Sequence, residues 1–100
     1  MGILDLLGFG KKKKIVREMI TQGAVIVDVR SSAEFASGHV EGSINVPLDS
    51  IKHKTAKLKK LNKPLVLCCA SGIRSASATA LLQKEGIQAV NGGGWRSLSQ

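Results

Sequence analysis

Two apolar runs constrain this chain more than anything else in it: Ala24-Val25-Ile26-Val27-Asp28-Val29 and Leu65-Val66-Leu67-Cys68. Neither alternates with polar residues, so each reads as a strand covered on both faces, the habit of a parallel sheet. Parallel neighbours need crossover connections, and helical patterns lie where the crossovers belong. Ile15, Val16, Met19 and Ile20 share one face of a helix that Thr21-Gln22-Gly23 ends. Ser31-Ser32-Ala33-Glu34 has capping-box spacing, so a short helix carrying Phe35 follows and stops near Gly38. Ser43 to Val46 reads as a short strand closed by Pro47. Leu48, Ile51, Thr55, Leu58 and Leu61 recur every three or four residues, which predicts a helix with lysines on its outer side. Ser75 to Lys84 predicts another, with Gly86 as its stop and small residues (Ala76, Ser77, Ala78, Ala80) against the sheet. Ile87 to Val90 completes the set as a last strand. The order predicts an α/β domain of three layers, a mainly parallel sheet with helices on both faces. One hundred residues, 43% of them hydrophobic, supply one such core and not two. Residues 1–100 are therefore expected to form a single domain, with residues 1–10 a loose segment in front of it.

Composition narrows the setting. Cys68 and Cys69 are the chain's two cysteines, and a bridge between neighbours closes a strained ring. Both read as reduced thiols in a reducing compartment. No stretch approaches the roughly 20 apolar residues of a membrane span. The opening MGILDLLGFG precedes Lys11 to Lys14, whereas a secretory signal carries its positive charge first. Leu6 stands where an N-myristoylation motif wants Ser or Thr. The expectation is a cytoplasmic protein. Its net charge is +8, and no acidic residue interrupts Ser50 to Lys84. A positive field there draws anions, although most of those lysines read as the solvated face of a helix. No aromatic platform or nucleic-acid motif accompanies the charge, so nucleic acid is not expected as a partner. Ten N-terminal residues are also short for a membrane contact.

In an open parallel sheet, ligands bind beyond the carboxyl ends of the strands, where Cys68 and Cys69 fall. From Cys69 the chain reads Cys69-Ala70-Ser71-Gly72-Ile73-Arg74, with Ser75 next. Inward loop amides and the positive end of the following helix make a site for an anion. The same field favours a thiolate over a thiol. Gly72 reaches backbone angles closed to other residues, which lets successive amides converge. Arg74 brings a fixed charge and a fork suited to two oxygens of an oxyanion. Asp28 and Arg30, at the end of the first strand, read as support for the fold, the carboxylate orienting a basic side chain or loop amides near the site. His39, in a Gly-His-Val-Glu-Gly turn, reads as a structural hydrogen-bonding residue, and His53 among lysines as a solvated one. Neither has metal-ligand spacing with the cysteines, so no metal is expected. Trp95 reads as a packing plug under the loop, and Gly92 to Gly94 as a turn lining the pocket mouth.

The Cys69 register resembles the active-site loop of rhodanese-like sulfurtransferases, C-x-x-G-x-R followed by Ser or Thr. The likeness continues through Val27-Asp28-Val29-Arg30, Glu34-Phe35, Gly38 to Pro47 and Gly92-Gly93-Gly94-Trp95, in the family's order and over some seventy residues. It implies a thiosulfate sulfurtransferase with a rhodanese-like fold and Cys69 as the nucleophile. Cys69 would take a sulfane sulfur from an anionic donor such as thiosulfate, expel sulfite and hold the sulfur as a persulfide. Ala70, Ser71, Gly72, Ile73, Arg74 and Ser75 would bind the donor and steady the persulfide. Cyanide or a small or protein thiol would then accept the sulfur, with no metal and no organic cofactor. Counting from Cys68 instead gives the C-x5-R loop of cysteine phosphatases and arsenate reductases. There Ser71 stands where those phosphatases usually carry glycine. A non-catalytic module that binds a protein partner through its lysines is the third reading. The physiological donor and acceptor, the role of Cys68 and the oligomeric state are left open by the sequence.

Overall fold

The computed structural model describes residues 11–99, so the expectation of a loose N-terminal segment falls outside the described residues. Four parallel strands form one sheet in the order β2-β1-β3-β4, with β1 at Val25–Asp28, β2 at Ile44–Asn45, β3 at Leu65–Cys69 and β4 at Ala89–Gly94. The two apolar runs are the central strands, as their lack of alternation requires.

Each face of the sheet carries its own core. On one face Val27, Val29, Leu65, Leu67 and Cys69 meet Ile51, Leu58, Ala78 and Leu82. These last come from a 3-10 helix (Leu48–Lys54), α3 (Thr55–Lys60) and α4 (Ile73–Lys84). On the other face Ile26, Val66 and Cys68 meet Val16, Met19 and Ile20 of α1 (Lys11–Thr21), with Trp95 and Leu98 of α5 (Trp95–Leu98). Each fully buried aliphatic side chain contributes about 1.5–3 kcal/mol, and two such layers settle the register, since a one-residue slip would exchange them.

Several local expectations shift. Leu48 to Leu61 is not one α-helix. Its first half is 3-10, and Leu48 donates its amide to the Val29 carbonyl, which ties that half to the sheet. The Leu48-to-Ile51 spacing of three fits the tighter helix. Helix α4 begins at Ile73, two residues before Ser75, and buries Ser75, Ala78, Thr79 and Leu82. Ala76, Ser77 and Ala80 face solvent instead. The last strand runs Ala89–Gly94 rather than 87–90, because the Leu82 carbonyl takes the Ile87 amide (3.1 Å) and delays it. Gly92 to Gly94 are thus strand rather than turn. The pairing shifts between Leu67 and Cys68, where a bulge absorbs Gly92.

The expected capping box is present on α2 (Ser32–Ala36): Ser31 Oγ accepts the Glu34 amide, and Glu34 accepts the Ser31 amide.

Candidate active site

Neighbouring strand residues point to opposite faces, and this separates the two cysteines. Cys68 lies among Val16, Ile26, Val40 and Val66. Burial, reinforced by the charge of Asp28, pushes its thiol up to about 12. Cys69 lies on the other face and ends β3, and only 1% of it is exposed. The Cys68 thiol is thus buried in the core layer opposite to that of Cys69.

After Cys69 the chain turns through Ala70 and Ser71 to Gly72, whose φ of 99° is left-handed. A side chain there would also set its Cβ 3.2 Å from Gly93 Cα. The turn brings two amides and a hydroxyl back onto the sulfur. The Gly72 amide lies 3.0 Å from Cys69 Sγ, the Ser75 amide 3.4 Å and Ser75 Oγ 3.3 Å. Burial is the largest single influence on Cys69 and pushes its thiol up. The Ser75 hydroxyl and the amides of Ser75, Ser71 and Gly72 together outweigh it, so the thiol titrates below its ordinary value. Ser75 is in the first turn of α4, so the helix's positive end adds to the same field.

Arg74 does something other than the sequence suggests. Its fork is taken by the Glu34 carboxylate, Nη1 to Oε1 at 2.8 Å and Nη2 to Oε2 at 3.0 Å. This pairing, with the Ser31 amide bond, holds the Glu34 carboxyl down at about 2. Arg74 therefore ties the start of α4 to the start of α2, with its two-oxygen face already occupied. Ala70, Ser71 and Ile73 turn outward, Ile73 being 76% exposed.

The Asp28 carboxylate orients a basic side chain, that of Arg30, whose further bonds run to residues 34–38 rather than to the 70–75 loop. Arg30 Nε and Nη2 bond the buried Asp28 carboxylate at 2.7–3.0 Å, while Nη1 and Nη2 reach the carbonyls of Glu34 and Gly38. Arg30 also lies over the Trp95 ring, 4.6 Å from its centroid, with Arg96 at 5.0 Å. Trp95 thus packs on Arg30 and the second core cluster rather than under the loop. His39 Nδ1 is 2.7 Å from the Phe35 carbonyl and the ring stacks on Phe35, a structural role as read. His53 is exposed on the 3-10 helix.

Asn91 of β4 is the site residue that sequence reasoning missed. Its Nδ2 donates to the Gly72 carbonyl (3.0 Å), and its Oδ1 accepts from Ser75 Oγ (2.7 Å) and the Gly93 amide (3.0 Å). The available signal was a polar residue directly after the expected strand Ile87 to Val90, towards the end of the sheet where Cys69 falls. Behind β4, on the α1 side, a cavity of about 310 Å³ opens between Lys12, Lys13, Arg17, Leu98 and the glycines.

This arrangement can hold a sulfur anion between two amides and a hydroxyl. The sequence pattern of the rhodanese-like domain matches residues 12–99. The chain belongs to the rhodanese-like family. Among rhodanese relatives, thiosulfate sulfurtransferase GlpE of Pseudomonas savastanoi pv. phaseolicola is 43% identical over 75 residues, which cover 72% of this chain and 70% of that protein. Bacillus subtilis YqhL is 36% identical over 67 residues, 67% of this chain, and the match spans about half (52%) of YqhL. The human single-domain sulfurtransferase has the same rhodanese fold, with a TM-score of 0.69 at 30% identity over 85% of this chain and 89% of that one. Among the described residues no helix is long and apolar enough to cross a membrane.

Proposed function

We propose that this rhodanese-like domain is a thiosulfate sulfurtransferase that carries sulfane sulfur on Cys69. The observation that carries the reading is the convergence of the Gly72 amide, the Ser75 amide and the Ser75 hydroxyl on one buried sulfur. In the first step the Cys69 thiolate attacks the outer sulfur of thiosulfate. A new sulfur–sulfur bond forms as the old one breaks, and sulfite leaves with the electron pair. The negative charge now sits on the terminal sulfur of the persulfide, inside the amides of residues 70–75. In the second step cyanide or a thiolate attacks that terminal sulfur, and the bonding pair returns to Cys69.

Arg74, its charge met by Glu34, holds the loop, while the loop amides meet the donor's oxygens. Asp28 and Arg30 act from behind by fixing the Gly38 and Glu34 carbonyls. The partners proposed are an anionic sulfane-sulfur donor and a small or protein thiol acceptor. Two unpaired thiols suit a reducing compartment such as the cytoplasm.

The phosphatase register has little support, since Cys68 faces the other core layer with its thiol pushed up to about 12. Intact-protein mass spectrometry after exposure to thiosulfate tests the reading. One added sulfur, mapped to Cys69 and absent from Cys69→Ser, is expected. Turnover of a phosphate ester with no sulfur on Cys69 would return the choice to the phosphatase. Failure with every donor, beside tight binding of a protein, would return it to a binding module.

A further inference from the structure

Ser75 has one hydroxyl proton and two neighbours that can use it. Its Oγ lies 2.7 Å from Asn91 Oδ1 and 3.3 Å from Cys69 Sγ. The orientation of the Asn91 amide follows from its backbone partners. Gly93 offers it an N–H and Gly72 a carbonyl, so Oδ1 faces Gly93 and Nδ2 faces Gly72. Oδ1 only accepts, so at 2.7 Å the proton between it and Ser75 belongs to the serine. While Asn91 holds that proton, Ser75 Oγ can only accept from Cys69, and the neutral thiol supplies a proton of its own. The resting chain therefore runs from the Cys69 S–H to Ser75 Oγ and from the Ser75 O–H to Asn91 Oδ1.

A thiolate reverses the demand at Ser75. The sulfur then has no proton to give and three donors to gain, two amides and the serine hydroxyl. For the hydroxyl to turn to the sulfur it must leave Asn91, whose Oδ1 keeps the Gly93 amide as partner.

We propose that Asn91 is a positioning residue of the sulfur site, competing with the Cys69 sulfur for the Ser75 proton. This rests on the assignment of Cys69 as the reacting thiol. Asn91 holds the hydroxyl whenever that sulfur is uncharged, as the thiol or as the inner sulfur of a persulfide. It releases the hydroxyl when the thiolate forms. The second bond of Asn91, from Nδ2 to the Gly72 carbonyl, braces the same loop and acts in the opposite sense. Losing the brace slackens the amides and disfavours the thiolate, whereas losing the competitor favours it.

A double-mutant cycle separates the two effects. The readout is the pH midpoint of Cys69 alkylation, followed by peptide mapping, in the parent, Asn91→Ala, Ser75→Ala and the double variant. In the Ser75→Ala background no hydroxyl exists to be released, so Asn91→Ala reports the brace alone. With Ser75 present the same substitution also frees the hydroxyl. The expected difference between the two shifts is about half a pH unit downward with Ser75 present, roughly threefold in thiolate reactivity. Arg74, Cys68, Asp28 with Arg30, and Glu34 behind Arg74 are the charged and titratable groups around Cys69, and all stay unchanged in the cycle. Additive shifts, or a coupling of the opposite sign, overturn the proposal. If Asn91→Ala does not fold, Asn91→Leu keeps the branched shape and is read in the same cycle. The alkylation midpoint does not depend on sulfur transfer. Failure to form a persulfide would sink the functional reading, and additivity would sink this one.

Discussion

Gly72→Ala is the substitution whose consequences the structure defines most fully. Gly72 sits at φ 99° and ψ −6°, in the left-handed region, where a Cβ costs roughly 1–2 kcal/mol. The new Cβ would lie 3.2 Å from Gly93 Cα, a backbone atom that no rotamer change can move. Keeping the turn therefore costs the strain plus a small displacement of β4, about 2 kcal/mol in all. For a chain of this size about 2 kcal/mol lowers the melting temperature by roughly 8–16 °C. The alternative is to relax toward negative φ and swing the Gly72 amide off the Cys69 sulfur, which it now meets at 3.0 Å. A hydrogen bond to a charged sulfur is worth about 1.5–3 kcal/mol, or one to two pH units on Cys69. Relaxation also pulls the Gly72 carbonyl from Asn91 and from the Ala76 amide. Thermal unfolding and the alkylation midpoint of Cys69, measured on the same variant, distinguish the two outcomes. A lower melting temperature with an unchanged midpoint means the turn held, and a raised midpoint with slow sulfur transfer means it opened. A variant that melts like the parent and titrates like the parent would show that the turn geometry is not what activates Cys69.

Two further substitutions test other parts of the site. Cys68→Ala is expected to keep most sulfur transfer and to lose about 1–2 kcal/mol of stability in urea, the cost of a small void in a buried layer; loss of activity with stability intact would make Cys68 chemical. Glu34→Gln removes the partner of Arg74. The Glu34 carboxyl sits at about 2 when folded, below its ordinary unfolded value, so its contribution is complete above about pH 4.5 and is lost as the pH falls towards 2. The denaturation midpoint of the parent should therefore fall more steeply than that of Glu34→Gln between those pH values; parallel curves would refute the pairing.

What could be read from the chain was what its neighbours in sequence determine. The strands at Val25 and Leu65 follow from uninterrupted apolar runs, and the capping box from four consecutive residues. The proposal of Cys69 over Cys68 as the nucleophile likewise rests on a local feature, the position of Gly72. Two features stayed hidden because they join residues far apart. Glu34 and Arg74 are 40 residues apart, and nothing local to either says that the fork meets a carboxylate rather than a ligand. Asn91 reaches Ser75 and Gly72 across 16 and 19 residues, through a β4 register that the bulge beside Gly92 sets. Reading 92–94 as a turn hid the strand that carries Asn91 alongside the loop. Trp95 was misplaced for a related reason, since its partner Arg30 comes from the far end of β1.

The two hidden contacts bear on how a basic protein would activate the proposed Cys69 nucleophile. Arg74, the cation nearest in sequence to Cys69, is balanced by Glu34. Arg30 is balanced by Asp28. The field at the sulfur is therefore left to oriented amides, the Ser75 hydroxyl and the end of α4. Such dipoles act at contact distance and inside a layer that excludes water, so salt screens them less than it screens the lysines of the outer helices. Those lysines can speed the arrival of an anion. In the proposed reaction, what would make Cys69 reactive once the anion arrives is the shape of six residues, held on one side by Glu34 and on the other by Asn91.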